Sequence, residues 1–200
     1  MKKNSIKVYD KQGIVLRVET TLNDPHEFKV FRTTEGKPDG PKGWKVLRRG
    51  VADLHRRAVV SQAANERYLD ALATLDTDHP VGALLTPEAK PVKFRNRKVR
   101  GLRLWEERDL RLIEAVARGE FMLSGFRNRD LVVCLGLEKE DPKRASNRIS
   151  RLLRILRAHH LIRKVPGQHS YRITPKGRNI ASALASIHVV TLQQLTRHAA

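Results

Sequence analysis

Cysteine is almost missing from this chain of 200 residues: Cys134 stands alone. One thiol closes no disulfide within a chain and builds no cysteine-based zinc cluster. Aromatic residues make up only 5%, too few for a broad stacking platform for single strands. No apolar run approaches the roughly 20 residues that span a bilayer. Met1-Lys2-Lys3 runs into polar Asn4 and Ser5, without the apolar segment of a secretory signal. Phosphate-binding glycine loops, nucleophile elbows and the His-Glu-x-x-His metal motif are missing too. The expectation is a soluble, cytoplasmic, non-enzymatic protein without a cofactor or metal. Apolar residues reach 40%, which is enough for a packed core and argues against wholesale disorder.

Acidic residues are scarce in a patterned way. The whole chain has 40 Lys or Arg against 21 Asp or Glu, a net charge of +19. Asp141 is the last acid, and the stretch from Pro142 to Ala200 holds 12 Lys or Arg and no Asp or Glu. A second acid-free cluster comprises Lys90, Lys93, Arg95, Arg97, Lys98, Arg100 and Arg103. Ordinary surfaces mix both signs, so such stretches imply a polyanionic partner, nucleic acid before an acidic protein or a membrane surface.

The periodicities predict an α+β chain. Ile6, Val8, Ile14, Leu16, Val18 and Thr20 alternate with polar residues, and Asp10-Lys11-Gln12-Gly13 supplies a turn, so residues 5–22 read as a hairpin. Phe28 to Phe31 reads as a third strand, and residues 33–43 as a Gly- and Pro-containing loop. Residues 51–75 read as a helix with the stripe Leu54, Ala58, Ala64, Tyr68, Leu72 and Leu75. The Pro-containing stretch 76–91 reads as a linker, and 92–103 as extended basic chain. The domain division is therefore a small α+β region over 1–90, a basic linker over 91–103, and a mainly helical domain over 104–200. So few elements in the first region form a thin core. That region is expected to pair with another chain or to be the remnant of a larger domain.

Residues 104–197 carry denser signals. Glu106 and Glu107 open a helix closed by Arg118-Gly119. Phe121-Met122-Leu123 reads as a brief strand, and Ser124 as the cap of a helix from Phe126 to Leu135. Asp141-Pro142 combines an N-cap acid with proline at the first helical position, opening a helix to His160. At 100° per residue, Ala145, Ile149, Leu152, Leu153, Leu156 and His160 fall within an arc of roughly 100°. Lys143, Arg144, Asn147, Arg148, Arg151 and Arg154 take the other side, with Arg157 at its edge. Leu161 to Val165 and Ser170 to Ile173 read as two strands around the turn Pro166-Gly167-Gln168-His169. Thr174-Pro175 opens a last helix with the stripe Ile180, Leu184, Ile187 and Leu195.

Helix, helix, basic helix, two-stranded hairpin, helix is the order of a winged helix-turn-helix. The run Ser150-Arg151-Leu152-Leu153-Arg154-Ile155-Leu156-Arg157-Ala158-His159-His160-Leu161-Ile162-Arg163-Lys164 resembles the recognition helix and first wing strand of the MarR and ArsR regulators. Tyr171-Arg172-Ile173-Thr174-Pro175-Lys176-Gly177-Arg178 is similar to their second wing strand and the helix start after it. The ligand pocket and metal-ligand cluster of those sensors are not evident in the sequence. The resemblance implies a transcriptional regulator. Lys143, Arg144, Asn147, Arg148, Arg151 and Arg154 would face the major groove of double-stranded DNA. Arg163, Lys164, Gln168, His169 and Arg172 would lie along the backbone or minor groove. It also implies a homodimer through the C-terminal helix.

A second resemblance covers fewer residues. Ile6 to Lys11 with Leu16 to Glu19 is similar to a strand pair of rolling-circle replication initiators of phages and plasmids. Those proteins nick DNA with a tyrosine and paired histidines around a metal. Tyr9 is present here, but no His-apolar-His motif accompanies it. This leaves an accessory or truncated mobile-element protein as the alternative to a regulator. An RNA-binding protein is the third reading.

Overall fold

The computed structural model describes residues 4–189 apart from Ile14, Glu35, Pro38 and residues 74–79. Helix and strand are mixed, and the architecture is α+β. Every sheet is a two-stranded antiparallel ribbon.

β1 (Asn4–Lys11) and β2 (Val15–Leu22) form the first ribbon, with Lys7 directly opposite Glu19. β3 (Lys29–Arg32) and β4 (Gly43–Val46) form the second, with Phe31 opposite Trp44. The predicted third strand thus has a partner that begins at Gly43, the last residue of the predicted loop, and continues into a stretch given no element from sequence. α1 (Leu54–Ala73) follows a single 3-10 turn at Val51–Asp53. Leu54 and Ala58, expected on its buried stripe, are exposed. Its inward residues are Val60, Ala64 and Tyr68. Leu75 lies outside the described residues.

The apolar centre of this N-terminal region is small, as its few elements predict. Phe28, Leu47 and Ala64 are buried together with Leu123 from the later helical part of the chain, and Ile6, Leu22, Val30 and Val60 pack on them. Polar contacts support it. Asp53 is wholly buried and meets Arg48 at 3.2 Å, Arg56 at 2.8 Å and Arg32 at 3.6 Å. Burial by itself would raise the Asp53 carboxyl; hydrogen bonds from Arg48 and Arg56 outweigh it and hold the group at about 2.

The stretch from Pro80 is helical before it is extended. α2 (Val81–Leu85) and a 3-10 turn (Thr86–Ala89) occupy residues read as linker. β5 (Val92–Phe94) and β6 (Arg97–Val99) then pair as a hairpin. Leu85, Val99, Leu102 and Leu104 are all buried. A buried polar tie fixes this stretch to the helices that follow. Glu88 Oε2 faces His159 Nδ1 at 3.0 Å, and Glu88 Oε1 meets Lys176 Nζ at 2.6 Å. His159 Nε2 faces the Arg100 carbonyl at 3.0 Å. Such a distant carboxylate satisfies the buried imidazole, a pairing with no local sequence signal.

The main core belongs to α3 (Glu107–Ala117), α4 (Phe121–Ser124), α5 (Asn128–Cys134), α6 (Pro142–Ala158), β7 (Ile162–Lys164), β8 (Tyr171–Ile173) and α7 (Pro175–Val189). Leu112, Ile113, Leu131, Ile149, Leu156, Leu161, Ile180 and Leu184 are its most deeply buried aliphatic members. Two local expectations need correction. Phe121 to Leu123 is helical rather than a strand: three residues are too few to show a period, and the Phe121 ring packs on Phe126 at 5.4 Å. Ser124 ends that helix instead of capping the next one. Gly125 turns with φ of 75°, and a Cβ there would lie 2.3 Å from the Tyr171 carbonyl oxygen. Phe126, expected in a helix, is a one-residue bridge to Tyr171. α5 therefore starts at Asn128, where Asp130 accepts the Arg127 backbone N–H at 2.8 Å. Leu195 and the end of the expected dimerising helix lie outside the described residues.

Candidate nucleic-acid interface

α6 starts as its sequence predicts but ends at Ala158, and His160, expected on its buried arc, is exposed beyond it with φ of 59°. Asp141 caps it by accepting the Arg144 backbone N–H at 2.9 Å, with Pro142 in the first turn. Ala145, Ile149, Leu152, Leu153 and Leu156 are buried, and Ile155 half-buried. The opposite side presents Lys143, Arg144, Asn147, Arg151 and Arg154 to solvent. None of these cations has an acidic partner among the described residues. Arg148 differs: it is half-buried and bound to Glu140 at 2.7 Å. α5 buttresses the same helix, since Asn128 Nδ2 donates to the Ser146 carbonyl at 2.9 Å and to Ser150 Oγ at 3.0 Å.

The β7–β8 hairpin stands beside α6. Arg163, Lys164 and His169 are exposed. Gln168 is partly buried, and its Oε1 accepts from the Ser170 hydroxyl at 3.1 Å. Arg172 sits directly opposite Arg163 and turns inward. Its Nε is buried without a hydrogen-bond partner. Burial, then the Arg163 charge, pushes the Arg172 pKa down. Arg67 of α1 lies beneath the same hairpin and donates to the Leu123 carbonyl at 3.1 Å. Burial, followed by the charges of Arg172 and Arg163, lowers it to about 10. Positive charge is thus crowded under the hairpin as well as along α6.

The turn of the hairpin rests on the N-terminal region. Lys29 Nζ donates to the Gly167 carbonyl at 2.7 Å. Gly167 has φ of 67°, and a Cβ on it would fall 2.4 Å from Trp44 Cγ. Of the residues singled out from sequence, Lys143, Arg144, Asn147, Arg151 and Arg154 share one exposed face, and Arg163, Lys164 and His169 one hairpin. Arg148, Gln168 and Arg172 are engaged or withdrawn.

Other candidate chemistry is weaker. Cys134 is half-buried, and burial raises its thiol pKa, which disfavours the nucleophilic thiolate. The Glu27 carboxylate accepts from Asn4 Nδ2 at 2.9 Å, and that of Asp24 from the His26 backbone N–H at 3.1 Å. Among the described residues, no group of three or more His, Cys, Asp or Glu is placed to hold a metal ion. No described helix is long and apolar enough to cross a membrane. A cleft of about 790 Å³, which no sequence signal announced, lies between Val81, Leu85, Leu102, Leu104, Trp105 and Ile187. Comparison of the chain with protein-family models, curated proteins and solved structures gave no match.

Proposed function

We propose that residues 104–189 form a winged helix-turn-helix that binds double-stranded DNA, with transcriptional regulation as the role it fits best. The observation that carries this reading is the solvent face of α6. Lys143, Arg144, Arg151 and Arg154 stand on a capped helix with no acidic partner among the described residues. A helix of this kind fits the major groove, where arginine can bind guanine through two hydrogen bonds and Asn147 can read adenine. Arg163 and Lys164 on the adjoining hairpin suit phosphates or the minor groove. Arg172 supports the surface from beneath instead of reaching DNA itself.

The test is a salt titration of duplex binding, followed by fluorescence anisotropy. Six cations without an acidic partner among the described residues, four on α6 and two on the β7–β8 hairpin, contribute about −5 to the slope of log K against log salt. A flat dependence overturns the reading. Equal or tighter binding to RNA duplex than to DNA duplex overturns it in favour of an RNA-binding protein.

A further inference from the structure

The cluster between Lys90 and Arg103 splits once folded. Arg100 is bound to Asp109 at 2.7 Å and Arg103 to Glu106 at 2.9 Å. Lys90, Lys93, Arg95, Arg97 and Lys98 are exposed and have no acidic partner among the described residues. Four of these five stand on the β5–β6 hairpin or its turn. The hairpin is closed by Arg95 and Asn96 with φ of 49° and 58°, the left-handed pair that a tight two-residue turn requires.

Its register places Lys93 directly opposite Lys98. Like charges in this position, with Cβ atoms about 5 Å apart, destabilise a ribbon. The fold nevertheless holds them there. Val99 is 3% exposed and anchors one strand. Two guanidinium groups lie over the Phe94 ring, Arg95 at 5.6 Å and Arg157 at 5.5 Å from its centroid. Arg157 is the residue of α6 one turn beyond Arg154, so the hairpin is fixed to the C-terminal end of the basic face. A rigid turn, an uncompensated like-charge pair and an anchor on α6 all suit a polyanion that runs past the end of the helix.

We propose that the β5–β6 hairpin is a second contact with the phosphate backbone of duplex DNA, in which Lys93 and Lys98 each take one of two neighbouring phosphates and Arg97 reaches the next. This rests on the reading that α6 binds the duplex, and it extends that footprint to a part of the chain outside the winged helix-turn-helix. The hairpin reads no bases here; its contribution is affinity without sequence preference.

The experiment uses the full chain and fluorescent duplexes of random sequence. The variant Lys93→Gln with Lys98→Gln should make the salt slope shallower by about 2. Lys98→Glu should weaken binding while raising the melting temperature of the free protein, because the cross-strand pair becomes attractive. If the unaltered chain binds duplex and the double variant keeps the same slope, the hairpin is no contact and only this inference falls. If the unaltered chain binds no duplex, the α6 reading falls and takes this one with it. A lower melting temperature for Lys98→Glu overturns the premise that repulsion strains the hairpin. A slope change seen with RNA but not with DNA assigns the hairpin to RNA and overturns the proposal as stated.

Discussion

The Asp53 cluster and the solvent face of α6 use arginine in opposite ways. In the N-terminal region, Arg32, Arg48 and Arg56 converge on one buried acid, Asp53, and Lys7 faces Glu19 across the first ribbon. These arginines are matched within the fold and help tie a thin core together. In the C-terminal region, Arg151 and Arg154 face solvent with no acidic partner among the described residues, and Arg163 faces Arg172 across its ribbon. A large apolar core carries the stability there, which frees the cations from structural duty. The contrast teaches that net charge alone says little about a partner; what matters is how much of it is left over after folding.

Three measurements break or sharpen that contrast. The largest effect should come from Asp53→Ala, which leaves three arginines around an empty site. Removing the buried partner of such a network should cost about 3 kcal/mol, read from denaturant midpoints. Hydrogen exchange should locate the loss in β3, β4 and α1 rather than in α6. An equal loss throughout would mean that the two regions unfold as one unit.

Acid comes next. The Asp53 pKa falls from 3.8 to about 2 on folding, so its contribution is fully present above the unfolded value. It should disappear as pH drops from about 4 towards 2, and it amounts to about 2 kcal/mol. Asp109, burial opposed by Arg100 and by the Arg103 backbone N–H, is lowered and acts in the same direction. Acid unfolding in that window should be blunted in Asp53→Ala, since that variant has already lost the titrating group.

The smallest effect on stability belongs to Arg151→Gln combined with Arg154→Gln. Exposed, unpaired side chains should change stability by no more than about 0.5 kcal/mol. The same pair should remove about 2 from the salt slope of duplex binding. A stability loss comparable to that of Asp53→Ala would erase the distinction between the Asp53 cluster and the α6 face.

Local chemistry was legible in the sequence and distant pairing was not. Asp141-Pro142 announces the start of α6, because a cap and a first-turn proline act within four residues. The buried stripe of α6 is equally plain, because its period repeats over four turns. Phe121 to Leu123 is too short to show a period at all. The β5–β6 hairpin is hidden by its own charge: Val92, Phe94 and Val99 alternate around Arg95-Asn96, yet the lysines and arginines between them read as linker. Arg172 illustrates a different limit. Strand alternation gives it a face, but only the position of α1 decides that this face is covered. The Asp53 cluster likewise depends on elements that meet only after folding, so no spacing marks it.

The seat of Gly167 on Trp44 has one more consequence. A free hairpin tip samples many arrangements, and a partner that grips it must freeze them, which weakens association. Here the tip is already held by an indole ring and by the Lys29 ammonium. The ordering cost is met when the chain folds, and the β3–β4 ribbon serves the turn of the β7–β8 hairpin as a splint.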